Sequence, residues 1–310
     1  MKTPPVSLSV LIPNYNHAAY LVESLESAVS QSCQPAAIHV IDDASTDRSV
    51  EIIRSYVQRF PQVHLIQKKK NCGVSANINE FLPQLQGSHF LILPADDYLL
   101  PGAVERAHDL LSKHPDAGLC LMDLLDLFPG GEQRYFGYRL SPQPAYFPPT
   151  QAPLAIRGRG LAGQCFFHLD GLRRMGGFPP SLRWHGDHFA ASVLAARYGL
   201  CYVPKAGGVF RKLPTSWSAE GVQGPAQQEV MASFLDYLFR PEYADIKSAL
   251  RDSHVLAIFD RGLFSALWRN PGYRYFLTPS FTARLILRRA RRALRHPVPR
   301  PVKEWYRRLR

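Results

Sequence analysis

Apolar and polar residues occur in blocks along the first hundred positions of the chain. Four short runs are apolar without a period of two, as is typical of strands buried on both faces, at 8–12, 38–41, 63–66 and 90–93. Between them, amphipathic segments with helical spacing lie at 18–31, 49–60 and 75–85, and a further helix is expected to begin at Pro101. This alternation predicts βαβ units and a mainly parallel, Rossmann-like sheet flanked by helices.

The pattern changes after about position 119. Residues 129–160 are rich in Pro, Gly and aromatics without a clear period, which predicts a long, partly ordered excursion. An apolar run at 165–169, a helix near Asp187 and a strand at 200–204 follow, and 224–268 has a helical pattern. We therefore predict three regions: a ligand-binding half at 1–115, a second half of the same domain at 116–220, and a helical C-terminal region at 221–310.

Composition and charge narrow the class of protein. No apolar stretch reaches the roughly 18 residues of a membrane span, and the N-terminus has no signal-like apolar segment, so we expect a cytoplasmic protein. The five cysteines are odd in number and widely spaced, which favours reduced thiols. The net charge is +12, of which the last thirty residues carry +10. The nearly neutral body argues against nucleic acid as a partner.

Polar segments follow each of the first four predicted strands. The first strand is followed by Pro13-Asn14-Tyr15-Asn16, and the second by Asp42-Asp43-Ala44-Ser45-Thr46-Asp47. The third is followed by Asn71-Cys72-Gly73, and the fourth by Ala95-Asp96-Asp97. In parallel sheets, ligands bind at the carboxyl ends of the strands. Carboxylates there suit a divalent cation that holds a diphosphate, and Asp97, with Asp96, is the candidate for it. Each segment alone is also explained as a turn or helix cap, but four in succession favour a site.

Together these segments resemble the family 2 glycosyltransferases of the GT-A fold. The resemblance extends from Leu8 to about Leu213 and includes Pro101-Gly102 after the fourth segment. It implies a GT-A-like α/β domain and an inverting transfer of a sugar from a nucleotide sugar, with Mn²⁺ or Mg²⁺ as the cofactor. By position, Pro13 and Tyr15 would border the nucleotide, with Asn71 and Gly73 beside it. Asp43 would contact the base, Asp96 the ribose or the metal, and Asp97 the metal.

Two positions depart from the family pattern. The family often has a further Asp where this chain has Pro94, so the metal site has fewer protein ligands. An Arg common in the third motif is replaced by Ile78, although the adjacent Asn79 matches. The second departure removes an Arg–phosphate contact, so the preference for a particular donor stays open.

The second half supplies a candidate base. Gly176-Gly177-Phe178 and Trp184-His185-Gly186-Asp187-His188 resemble the family's Gly-Gly-Phe and Glu-Asp segments, and Asp187 matches the Asp that serves as base. An N-cap role for Asp187, or a base or metal-ligand role for His185 and His188, stays open. Arg211, in a segment that resembles the end of the catalytic domain, is a candidate for the donor diphosphate.

The C-terminal thirty residues, 281–310, form a basic amphipathic pattern. Apolar residues occupy one helical stripe at 283–294 and arginines the other side, and a shorter segment with Trp305 and Tyr306 follows three prolines. Such helices bind anionic membrane surfaces, and the alternative is a solvated helix or a disordered tail. We expect peripheral binding to the inner face of the cytoplasmic membrane, with a lipid-linked or polysaccharide acceptor.

Two other functions were weighed against a transferase. A nucleotidyltransferase shares the α/β architecture and the metal–diphosphate chemistry, but would carry a Gly-rich basic signature near the first strand. Here no basic residue occurs between Lys2 and Arg48. A non-enzymatic membrane- or RNA-binding protein is suggested by the tail alone, and a carboxylate-lined crevice would repel nucleic acid. The family resemblance and the basic tail together imply a glycosyltransferase, which we expect to use a UDP-sugar in cell-surface polysaccharide or lipopolysaccharide synthesis.

Overall fold

The structure, a computed structural model, describes residues 5–161, 165–213, 221–222, 224–259 and 263–295, without the side chains of 264–265 and 288–295. It contains two compact units, Met1–Val255 and Leu256–Arg310. The predicted division into 1–115, 116–220 and 221–310 stays a prediction. The segment with Trp305 and Tyr306 lies outside the described residues.

The first unit is built on one mixed sheet. Its strands are β1 (Leu8–Asn14), β2 (Ala37–Asp42), β3 (Val63–Gln67), β4 (His89–Ile92), β5 (Tyr98–Leu99), β6 (Leu119–Leu127), β7 (Gln133–Phe136), β8 (Ala145–Phe147), β9 (Cys165–His168) and β10 (Leu200–Arg211). The order is β3-β2-β1-β4-β9-β6-β10-β5, with β7 on β6 and β8 on β10. The α/β, GT-A-like class predicted from the sequence is confirmed.

Strand direction decides where ligands can bind. β1 pairs in parallel with β2 and β4, and β2 with β3. β9 is antiparallel to both β4 and β6, so β6 runs parallel to β4, and β10 pairs in parallel with β6. Six strands therefore point the same way, and their carboxyl ends meet at one edge of the sheet.

Helices cover both faces of this sheet. They are α1 (Ala18–Val29), α2 (Ser49–Arg59), α3 (Val74–Phe81), α4 (Ala103–Leu111), α5 (Ala152–Ala155), α6 (Leu169–Arg174), α7 (Gly186–Tyr198), α8 (Gln227–Phe239) and α9 (Lys247–Asp252). Successive side chains of β1 point to opposite faces of the sheet and belong to two different buried clusters. Val10 is in the cluster with residues of α1, α2 and α4, and Leu11 is in the cluster with residues of α3, α6 and α7. Fully buried strands of this kind explain the continuous apolar runs in the sequence.

The second unit is helical. It contains α10 (Leu263–Arg269), a 3₁₀ turn at Pro271–Phe276 and α11 (Pro279–Arg295). Helix α11 confirms the helix predicted from the apolar and basic stripes. Ile286 and Leu287 on it are 62% and 57% exposed. In the described part of the chain, none of the helices is both long and apolar enough to cross a membrane.

Candidate functional site

The turns after β1 and β2 are locked to each other by side chains. Asn14, at the end of β1, donates from Nδ2 to Asp42 Oδ1 at 2.9 Å and to Ser45 Oγ at 3.1 Å. Asn16 Oδ1 accepts the Thr46 N–H at 2.8 Å, and the Asn16 N–H donates to Ser45 Oγ at 3.0 Å. Because buried polar groups need partners, these bonds fix the shape of both turns.

Two predicted nucleotide-contacting residues project from the locked turns. Tyr15 lies between Asn14 and Asn16 and is 44% exposed, so its ring is available to a ligand. Pro13 is half-buried in the last part of β1. The structure thus places both at the predicted edge of the sheet, and their contact with a nucleotide stays a prediction.

Asp43 organises the loop after β3. Its carboxylate accepts the Cys72 N–H and the Gly73 N–H, both at 2.8 Å, and the residue is buried. Gly73 has a φ of +83°, a left-handed conformation that favours glycine. Asp43, exposed Asn71 and Gly73 therefore lie together as predicted. Each carboxylate oxygen of Asp43 accepts one N–H from the loop, so a contact with a base would use the remaining lone pairs of these oxygens.

Within the second motif, the residue that binds helix N-termini is Asp47 and not Asp43. Asp47 accepts the Ala18 N–H at 2.9 Å at the start of α1, and the Ser49 N–H at 3.0 Å at the start of α2. Although burial opposes ionisation, the hydrogen bonds from Ser49 and Ala18 lower the pKa of this carboxyl. Capping thus falls on Asp47, and Asp43 faces the neighbouring loop.

Asp97 is the most unusual carboxylate at this edge. It is 1% exposed; Oδ1 accepts the Arg211 N–H at 2.8 Å, and Oδ2 has no hydrogen-bond partner within the residues that the structure describes. Burial, together with the charge of adjacent Asp96, raises the pKa of Asp97 well above its ordinary value. A buried carboxylate oxygen without a partner is costly, and a bound cation would satisfy it.

The protein ligands for such a cation are few. No group of three or more His, Cys, Asp or Glu side chains suited to a metal occurs in the part of the chain covered by the structure. Mg²⁺ often takes one or two carboxylates and completes its shell with phosphates and water. Asp96 and Asp97 fit that mode. Pro94 contributes its carbonyl to the turn, where it accepts the Asp97 N–H at 2.9 Å.

Arg211, the candidate for the donor diphosphate, lies beside this carboxylate pair. Its contact with a diphosphate stays a prediction. Its guanidinium forms an ion pair with Glu23 and donates to the Asp96 carbonyl. It also lies 5.0 Å from the ring centroid of Tyr20 and 5.1 Å from that of Tyr98. Cation–π contacts and the ion pair hold the guanidinium at the edge where a diphosphate would bind.

Asp187 lies at the N-terminus of α7, as predicted. Its Oδ1 accepts the His188 N–H at 2.7 Å, and the residue is half-buried. A carboxylate in the first turn of a helix is stabilised by the helix dipole. The N-cap alternative for Asp187 is wrong, because the N-cap position of α7 is His185 and Asp187 is the second residue of the helix. Its role as a base stays a prediction.

The two flanking histidines have structural partners. His188 is 3% exposed; its Nδ1 accepts the Leu161 N–H at 2.9 Å, and its Nε2 faces the Val255 carbonyl at 3.1 Å. These partners require the Nε2–H tautomer, and burial lowers the pKa of His188 to about 4. Burial likewise lowers the pKa of His185 to about 4, although its contact with Gln227 opposes the shift. This buried His188 is unsuited to the alternative metal-ligand role.

Sequence reasoning missed the clamp that joins α3 to the segment before Asp187. Asn79 Nδ2 donates to the Phe178 carbonyl at 2.7 Å, and Asn79 Oδ1 accepts the Phe178 N–H at 2.8 Å. Gly177 lies against this amide with a φ of +83°, and a Cβ there would approach Asn79 Oδ1 to 2.3 Å. The match of Asn79 to the third motif and the Gly-Gly-Phe segment were the available signals.

A second missed residue, Asp123, lies in the middle of β6 and organises the segment that packs against it. It is buried, and its carboxylate accepts from the Tyr202 hydroxyl at 2.8 Å, the Tyr138 N–H at 2.8 Å and the Tyr135 hydroxyl at 2.5 Å. Tyr135 and Tyr138 belong to the excursion 129–160, which has no readable period. The sequence therefore carried no signal for this network.

Comparison with known proteins identifies the N-terminal part of the chain. Residues 9–123 match the model of "Glycosyl transferase family 2". The resemblance inferred from the strand-end motifs is therefore confirmed over this segment. Among curated relatives, a 108-residue segment is 32% identical to the minor teichoic acid biosynthesis protein GgaB of Bacillus subtilis, covering 34% of this chain and 12% of GgaB. The matched segments span well under half the length of the curated relatives.

Solved structures share the fold over most of the chain. The Staphylococcus aureus TarS fragment 1–349 in complex with UDP-GlcNAc has a TM-score of 0.66 at 19% identity, covering 90% of this chain and 78% of that one. The mannosyltransferase PcManGT from Pyrobaculum calidifontis, in complex with GDP-Man and Mn²⁺, has a TM-score of 0.58 at 18% identity, covering 98% of this chain and 84% of that one. At such identities the likeness establishes the fold alone.

Proposed function

We propose that the chain is an inverting glycosyltransferase that moves a sugar from a UDP-sugar to a hydroxyl of a glycan or lipid-linked acceptor. The observation that carries the proposal is the buried Asp97, one oxygen of which has no hydrogen-bond partner among the described residues. It lies at the same edge of the sheet as the other three strand-end segments. The UDP-GlcNAc bound in the TarS structure and the teichoic acid role in the name of GgaB support a UDP-sugar and cell-surface polysaccharide synthesis.

The residues at the strand ends would bind the donor. Tyr15 would pack on the nucleotide, and Asp43 would hold the loop at Gly73 and accept from the base. Asp96 and Asp97 would hold Mn²⁺ or Mg²⁺, which when bound supplies Lewis-acid stabilisation to the departing diphosphate. Mn²⁺ in the PcManGT structure supports that cofactor. Arg211 would add positive charge on the same side of the diphosphate.

Asp187 would act on the acceptor. As general base it takes the proton of the attacking hydroxyl while that oxygen forms a bond to the anomeric carbon. The bond from the anomeric carbon to the diphosphate oxygen breaks in the same displacement, so the configuration inverts. Asp187 lies in the first turn of α7, where the helix dipole favours a negative charge, and its Oδ1 is held by the His188 N–H.

A thermal-shift screen tests the donor site. The purified protein is mixed with UDP, GDP, dTDP or CMP, each with and without Mn²⁺. We expect one nucleotide, UDP, to raise the unfolding temperature in a metal-dependent manner, since a ligand that binds only the folded state stabilises it. The shift should vanish in Asp97→Ala and persist in Asp109→Asn, an exposed carboxylate on α4. Absence of any nucleotide shift in the wild type would contradict the proposal.

Helix α11 supports a peripheral membrane location on the cytoplasmic side. Ile286 and Leu287 expose apolar surface on a helix whose sequence is dense in arginine, and residues 281–310 carry a net charge of +10. Basic helices with an apolar stripe bind anionic lipid surfaces. A lipid-linked acceptor would be presented at the same surface, which gives the two features a common purpose.

A further inference from the structure

A pocket of about 140 Å³ opens between β6, β7 and β10, next to the segment of Arg211. This volume is far more than one water needs. The lining combines three aromatic rings with one ion pair and two smaller residues: Phe136, Tyr138, Phe210, Asp126, Lys212, Leu124 and Gly160.

The aromatic walls are held rigidly. Phe136 and Tyr138 pack edge to face, with ring centroids 5.1 Å apart. The Tyr138 backbone is tied to buried Asp123 at 2.8 Å, and Asp123 also holds the neighbouring Tyr135. Phe136 is nevertheless 43% exposed, so part of its ring is free to contact a ligand.

The polar part of the pocket is electrically neutral. Lys212 Nζ lies 2.8 Å from Asp126 Oδ1 and 4.2 Å from the centroid of the Phe210 ring. A carboxylate beside an ammonium offers an acceptor and a donor to a pair of neighbouring hydroxyls. Because the two charges cancel, the pocket does not select an anion, unlike the crevice at Asp96 and Asp97.

The pocket is joined to both halves of the candidate active site. Phe210 and Lys212 flank Arg211 on the chain, and the Arg211 N–H donates to Asp97 at 2.8 Å. Gly160, also in the lining, precedes Leu161, whose N–H donates to His188 Nδ1, and His188 follows Asp187 in the chain. The lining therefore includes a neighbour of the segment that contacts Asp97 and a neighbour of the segment that contacts His188.

We propose that this pocket is a subsite for a neutral pyranose ring of the acceptor. Sugar rings present apolar C–H faces to aromatic side chains and vicinal hydroxyls to paired polar groups. The exposed part of Phe136 suits the first and the Asp126–Lys212 pair suits the second. The assignment to the acceptor rests on the glycosyltransferase function proposed above. The existence of a neutral sugar-binding pocket does not depend on it.

Saturation-transfer difference NMR on the full-length protein tests the pocket directly. The probes are the methyl pyranosides of glucose, galactose, mannose and N-acetylglucosamine, with methyl glucuronide as an anionic comparison. We expect at least one neutral glycoside to bind, and Phe136→Ala to weaken it roughly tenfold because an apolar face is lost. Val57→Ala, a change of a partly exposed side chain on α2, is the matched control and should leave binding unchanged.

The outcomes separate this proposal from the proposed function. Binding that falls in Phe136→Ala and in the charge-neutral pair Asp126→Asn/Lys212→Met supports the pocket. No binding by any neutral glycoside, binding unaffected by both variants, or tighter binding of the glucuronide would overturn it. The nucleotide thermal shift reports independently on the donor site, so its failure alone would remove the acceptor assignment and leave the sugar pocket standing.

Discussion

The Asn79 clamp makes a quantitative prediction about the coupling of two positions. Asn79→Ala leaves the N–H and the carbonyl of Phe178 without the partners found at 2.8 and 2.7 Å. Phe178 is 3% exposed, so water does not readily replace them. Each buried unsatisfied group costs about 1–3 kcal/mol, and we expect about 2–4 kcal/mol of lost stability for the pair.

Gly177→Ala perturbs the same contact from the other side. A Cβ at Gly177 would lie 2.3 Å from Asn79 Oδ1, and the φ of +83° adds strain of about 1 kcal/mol for a residue with a Cβ. In the Asn79→Ala background the steric conflict is gone and the backbone strain remains. The double variant should therefore be about 1–2 kcal/mol more stable than the sum of the single changes.

Urea unfolding of the four proteins measures this coupling. Free energies that add within about 0.5 kcal/mol would refute the clamp as the structure shows it. Asn270→Ala is the control, because Asn270 only caps a 3₁₀ turn through Gly272 at 3.0 Å. Asn79→Ala should also slow turnover, since Phe178 leads into the segment of Asp187, whereas the control should not. Unchanged turnover in folded Asn79→Ala would separate the clamp from catalysis.

Three further outcomes are expected. Asp97→Asn should unfold at the same temperature as the wild type near pH 4 and, as the pH rises, at a temperature roughly 2–4 °C higher. The reason is that burial raises the pKa of Asp97, so the wild type loses the stability of its neutral carboxyl as the pH rises through that pKa, whereas Asn stays neutral. Calorimetry in EDTA measures the difference, and a lower unfolding temperature of Asp97→Asn at pH 8 would contradict it. Asp187→Asn should lower the turnover rate at least about a hundredfold and keep the UDP–Mn²⁺ thermal shift, since a base contributes to the chemical step and not to donor binding. Substantial residual activity would refute the assignment of Asp187 as the base. Ile286→Gln/Leu287→Gln should weaken sedimentation with anionic vesicles while leaving the fold intact, because both side chains are exposed; undiminished binding would remove α11 from the membrane surface, and neutral vesicles are the control.

The regular part of the fold was predictable because buried strands and amphipathic helices have distinct periods. The first four strands were predicted within two residues of where they lie, although α3 ends at Phe81 and not at residue 85. The excursion 129–160 was not predictable, since β7 and β8 are short and exist by pairing with β6 and β10. All four residues of β7 are exposed, so no hydrophobic pattern marks them.

The sequence located candidate site residues but not the partner of each side chain. Asp42, Asp43 and Asp47 are equally good cap residues by type. The pleat of β2 and the turn that follows send them to different partners: Asp42 to Asn14, Asp43 to the loop at Gly73, and Asp47 to two helix N-termini. Such a division depends on backbone direction after the strand ends, which a single sequence does not encode in any period.

Ile78 stands where the third motif of the family often has an Arg. Ile78 is 3% exposed and packs in the buried cluster beneath α3, so an Arg there would bury a charge or distort the helix. Positive charge beside Asp96 and Asp97 comes instead from β10, where Arg211 is held between Tyr20 and Tyr98 by Glu23. Because a diphosphate carries more negative charge than Glu23 does, a donor would compete for this guanidinium. The guanidinium beside Asp96 and Asp97 therefore comes from the end of β10 and not from α3.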